Sequence, residues 1–88
     1  HLIEPDVILY NAILRKCADA FDSERLFHVL DQMQKEGHEP NYQTWQIVFE
    51  FLISNEDVEK MIHYYPKMQK AIADFKQEMI TKSVRSVE

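Results

Sequence analysis

Eighty-eight residues make at most one small domain, with a single core that is only modestly stabilising. At 45% hydrophobic and 28% charged residues the composition is that of a folded, soluble chain, and no apolar run approaches the ~20 residues that span a bilayer. A net charge of −5 excludes broad attraction to nucleic acid; residues 1–55 hold four basic against nine acidic side chains and residues 56–88 six of each, so any polyanion site must be local.

The chain opens on "HLIEPD", without Met and without a basic-then-apolar signal pattern, and so reads as a segment of something longer. Asp6 can accept hydrogen bonds from free amides and cap a first helix, with Pro5 just outside it. Tyr10, Ile13, Leu14 and Cys17 then fall at i, i+3, i+4 and i+7, one face of a helix over residues 6–18. Asp22 offers a second cap, with Phe21 and Leu26 placed to close a hydrophobic staple. Leu26, Val29, Leu30 and Met33 carry the stripe of a helix over 22–36, and Gly37 can take the left-handed conformation that ends it.

Asn41 caps a third helix over 41–53, whose inward stripe is Trp45, Val48, Phe49 and Leu52. Ser54 is expected to cap a fourth over 55–65, with Asp57 at the capping-box position and Val58, Met61, Ile62 and Tyr65 inward. Pro66 should then break the pattern, because it removes a backbone bond and clashes with the preceding turn. Met68, Ile72, Phe75 and Met79 keep helical spacing, so a kink or a fresh helix is expected to about residue 82, then a frayed tail over 83–88. Tyr10, Leu14, Leu30, Met33, Trp45, Phe49, Leu52 and Ile62 should be largely buried.

The two halves are copies. A shift of 35 residues lays Glu4-Pro5-Asp6 on Glu39-Pro40-Asn41, Tyr10 on Trp45, His28 on His63, and Met33-Gln34-Lys35 on Met68-Gln69-Lys70. Chance matches apolar positions easily, but not a Pro, a His and a tripeptide in one register. Repeats of this length are stacked units, so the expected fold is all-α, an α-solenoid of antiparallel helix pairs.

"VILYNAILRKCADAFDSERLFHVLDQMQKEGHEPN", residues 7–41, resembles the pentatricopeptide repeat: Tyr-Asn in the first helix, a Cys near its end, then Leu, Met, Gly and a closing Pro-Asn. A tetratricopeptide repeat, with a 34-residue period, would break the Pro5/Pro40 register. Residues 1–6 then look like the end of a preceding repeat and 42–76 like a degenerate second one.

The resemblance implies binding of single-stranded RNA, one base per repeat, by an organellar protein in the mitochondrial matrix. Its partners would be messenger, ribosomal or transfer-RNA precursors, neighbouring repeats of the same chain, and ribosomal or RNA-processing proteins; no membrane is implied. The family's base-edge positions match Asn11 and Asn41, its base-packing position matches Ile8, and Asp6 would serve the upstream repeat as Asn41 serves this one. By the family's code an Asn pair favours C or U. Asp6 and Asn41 are needed as helix caps whether or not RNA binds, and Asn11 is equally explained as bland surface. In the second repeat the matching residues are Gln43, Gln46 and Lys76, which depart from base-reading combinations. Where the family often places a basic residue facing phosphate, this chain has Asp19 and Ser54. The alternative is a helical scaffold docked on proteins of a mitochondrial ribosome, RNA-polymerase or RNA-processing complex, and protein contact suits residues 55–82 best.

No catalytic residue, cofactor or metal site is expected. His28 and His63 should share a packing slot across the repeat, Cys17 should act as a small buried hydrophobe suited to a reducing compartment, and Met33, Met61, Met68 and Met79 should be core.

Overall fold

Four helices account for the described residues in a computed structural model that describes the backbone of residues 5–87 and the side chains of residues 6–82. They are α1 (Pro5–Asp19), α2 (Ser23–Lys35), α3 (Tyr42–Ser54) and α4 (Val58–Val87), with no strand among the described residues. Short connections fold α1 on α2 and α3 on α4, and α1 packs beside α3. The reading of the first residues as the end of a preceding repeat falls, for residues 1–4, outside the described residues.

The caps follow local chemistry, with two corrections. Asp22 accepts from the Arg25 amide at 3.1 Å, and Asn41 forms a reciprocal capping box with Thr44. Asp6 is not the cap, because α1 already includes Pro5; it sits in the first turn, where Pro's missing N–H costs nothing and a carboxylate suits the helix dipole. Ser54 is not a cap either. It ends α3, and Asp57 caps α4 by accepting from the Lys60 amide at 3.2 Å.

The helix ends repeat too. Phe21 N–H donates to the Ala18 carbonyl and Asp22 N–H to that of Cys17, closing α1; Glu56 and Asp57 make the same two bonds to Ile53 and Leu52 at the end of α3. Gly37 and His38 close α2 in the same way. Each closure needs one left-handed residue, and these are Phe21 (φ 55°), Glu56 (φ 53°) and Gly37 (φ 85°). Turned outward, Phe21 is 73% exposed, so the expected staple over Leu26 is not made.

The core is built from Leu14, Leu26, Leu30, Met33, Trp45, Val48 and Leu52, with Phe49 and Cys17 also buried and Tyr10 half-buried at its edge. Ile62 is a correction at 70% exposed, and Val58 and Tyr65 face solvent with it. The inward face of α4 is instead Met61, Tyr64, Met68 and Ala71, rotated from the expected stripe. Tyr64 fixes that rotation by lying between two rings, stacked on Phe27 of α2 (centroids 5.8 Å) and tilted against Trp45 of α3 (5.5 Å). Apolar residues occupy both faces of this segment, so spacing alone does not pick the buried one. Met79 is likewise exposed, not core.

No fresh helix starts at Pro66, and α4 continues past residue 82 to Val87. Pro66 and Ile62 are both exposed, so the Ile62 carbonyl that loses its partner faces water, which lowers the cost of the proline. At about 1.5 Å per residue the helix is roughly 45 Å long, which accounts for the 47 Å long axis of the molecule. Among the described residues no helix is long and apolar enough to cross a membrane.

Candidate nucleic-acid interface

The packing of α1 beside α3 brings residues 30 positions apart in sequence into one polar cluster. Asn11 Nδ2 donates to Asn41 Oδ1 at 3.3 Å, and the Thr44 hydroxyl donates to Asn11 Oδ1 at 2.6 Å. Thr44 N–H donates to Asn41 Oδ1 (3.0 Å) and Asn41 N–H to Thr44 Oγ1 (3.1 Å). Asn11 is therefore not bland surface: it is 9% exposed and hydrogen-bonded on both sides of its amide. A buried amide without partners is costly, and here the α3 cap supplies them.

Two of the four candidate residues meet, and two do not. Ile8, exposed, lies three residues before Asn11 on the same face of α1, where an apolar side chain can lie against a flat ring. Asp6 sits round the helix from Asn11, 3.5 Å from His38 Nε2. Gln43 and Gln46 are exposed at the matching places on α3.

One turn further along, Arg15 and Glu50 form an exposed ion pair at 3.2 Å. They are 35 residues apart, so one repeat position carries opposite charges in the two units. Asp19 and Ser54, the last residues of α1 and α3, are exposed and offer phosphate no cation. Behind the cluster Tyr10 donates to the Glu36 carboxylate. This bond raises the tyrosine above its ordinary value near 10.0 and lowers the glutamate below 4.5.

The remaining chemistry is structural. Burial raises the Cys17 thiol, keeping it protonated. His28 and His63 share no packing slot: both are exposed, and His63 sits edge-on to Tyr64 at 4.7 Å. The described residues hold no cluster of three or more side chains able to bind a metal.

Sequence reasoning missed Thr44 and the Arg15–Glu50 pair. The first signal was available as Asn41-x-x-Thr44, a capping-box pattern; the second was an opposite-charge pair in the 35-residue register.

Comparison with known proteins agrees with the repeat. The model of the PPR repeat family matches residues 5–54. A pentatricopeptide repeat-containing chloroplastic protein of Arabidopsis thaliana is 33% identical over 69 residues, which cover 78% of this chain and 7% of that relative. No solved structure matches.

Proposed function

The chain belongs to the PPR repeat family, and from that premise we propose that it is a segment of an organellar protein that binds single-stranded RNA, with Asn11 and Asn41 set against one base. The observation that carries this reading is the amide pair itself, two side chains from successive helix pairs held 3.3 Å apart. Amides both donate and accept, so they suit a base edge, and exposed Ile8 beside them suits a base face. The segment acts by binding, not by catalysis, in RNA metabolism or translation. The mitochondrial matrix is the narrower setting we infer; the plant relative's name gives a plastid for that protein. Fractionation of cells expressing the tagged parent protein distinguishes them.

The test is binding of the parent protein to RNAs varied at single positions. Asn11→Thr should shift preference from a pyrimidine towards adenine at one position, since Asn41 already fits the family's adenine pairing. Changed preference should amount to roughly 1–3 kcal/mol, if the magnitude for duplex base contacts transfers. Preferences that stay the same at every position would show that this pair does not read bases.

A second reading is favoured by one specific observation. Val58, Ile62, Tyr65, Met79 and Ile80 are exposed apolar side chains along α4, a helix that carries no base-reading pair. We infer that residues 55–82 contact protein, either a neighbouring helix pair of the same chain or a component of a mitochondrial ribosome, RNA-polymerase or RNA-processing complex. A photo-crosslinker at Ile62 of the parent should then label protein. Labelling of RNA alone would reverse the assignment.

A further inference from the structure

Resting on the RNA reading above, we propose that Thr44 is a positioning residue that sets the sense in which the Asn11–Asn41 amide pair faces a base. Two backbone amides, which can only donate, fix the cluster. Thr44 N–H points at the Asn41 side chain at 3.0 Å, so the atom facing it is the oxygen, and Asn41 Nδ2 must face the other way. Asn41 N–H points at Thr44 Oγ1 at 3.1 Å, which uses that oxygen as an acceptor and leaves its hydrogen to donate. Two oxygens compete for the hydrogen, Asn11 Oδ1 at 2.6 Å and Asn41 Oδ1 at 2.9 Å, and the closer is on Asn11. With its oxygen held there, Asn11 turns Nδ2 to Asn41 Oδ1 at 3.3 Å. Every amide in the cluster is thus oriented, and every link but the direct Asn11–Asn41 bond passes through Thr44.

The consequence is a fixed donor face. Asn41 Oδ1 receives Thr44 N–H and Asn11 Nδ2, while Asn41 Nδ2 has no acceptor among the described residues. Asn11 keeps one further Nδ2 hydrogen. A pair showing mostly N–H groups suits adjacent acceptors, as on the N3 and O2 atoms of cytosine; uracil interrupts that edge with a donor at N3. Thr44 is fully buried and touches no base, so it acts only through the two asparagines.

The test uses the full parent protein and RNAs carrying C or U at the position read by this repeat. Thr44→Val keeps the shape and the backbone N–H but removes the hydroxyl. The wild type should prefer C, and Thr44→Val should lower the C-over-U ratio by about fivefold, the equivalent of one neutral hydrogen bond. Thr44→Ser, which restores a hydroxyl at the third position of the capping box, should restore the ratio. A purely structural role would weaken all RNAs together and leave the ratio alone, and that result overturns the proposal. Should Thr44→Val not fold, Thr44→Cys replaces it: a thiol donates weakly, so a smaller fall in the ratio is expected, and no fall overturns the proposal. Asn11→Ala separates the two levels. If it changes the ratio while Thr44→Val does not, only the role of Thr44 is wrong. If neither variant changes any preference, base reading by this pair fails and the role of Thr44 with it.

Discussion

The two helix pairs share a sequence pattern and differ in what it buries. Leu30 on α2 is 1% exposed, while Tyr65, its counterpart 35 residues on, is 48% exposed. On the other side the order reverses: Thr44 on α3 is fully buried and its counterpart Leu9 on α1 is 61% exposed. Val48 and Ile13 repeat that contrast. Each pair is therefore covered on the side where it meets the other and bare on the opposite side. A repeat position is core only when a neighbour sits on it, which is the nearest-neighbour behaviour of stacked units.

The largest expected effect tests the covered side. Trp45→Ala should cost about 3–5 kcal/mol in urea unfolding of the 88-residue chain, because the ring is buried in the core and lies against Tyr64. Tyr10→Ala, in the aligned place but half-buried, should cost roughly 1–2 kcal/mol. Equal costs would break the comparison. Next come Leu30→Ala and Tyr65→Ala, expected at about 2–4 and below about 1 kcal/mol. The same Tyr65 change in the parent should cost more if a further helix pair covers it, and an unchanged cost would mean the α4 face stays open.

The paired left-handed residues should behave alike, whatever covers them. Phe21→Gly and Glu56→Gly each relieve a Cβ at positive φ, against some gain in freedom of the unfolded chain, and should stabilise by about 0.5–1 kcal/mol. The measurement is the shift in thermal midpoint. Opposite signs at the two sites would show that the closures are not equivalent.

The smallest effect is in acid. Asp57 is held below the ordinary aspartate value near 3.8, first by the Lys60 amide it caps and then by the Lys60 side chain. A lowered folded value means stability that is present above pH 3.8 and lost as pH falls through the folded value. The start of α4 should fray there, seen as faster amide exchange at Lys60 and Met61, and Asp57→Asn should remove the dependence. Glu36 adds a loss of the same sign below pH 4.5. Tyr10 adds the opposite dependence, because a raised folded value means stability that is present below pH 10.0 and lost as pH climbs through the folded value.

Much was legible in the order of residues alone. The four helices, the caps Asp22 and Asn41, the left-handed exit at Gly37 and the 35-residue register all arise within a few residues of chain or from simple self-comparison, so spacing carries them. The Asn11–Asn41 pairing came from the family resemblance. What the resemblance left open was that Asn11 is buried and tied to Thr44, since that needs α1 laid beside α3. The face of α4 that turns inward was also beyond spacing, because apolar residues line both sides and only the rings of Phe27 and Trp45 select Tyr64. Propensity and capping are local and act through neighbours in sequence; burial and amide orientation belong to pairs of elements, and only their packing decides them.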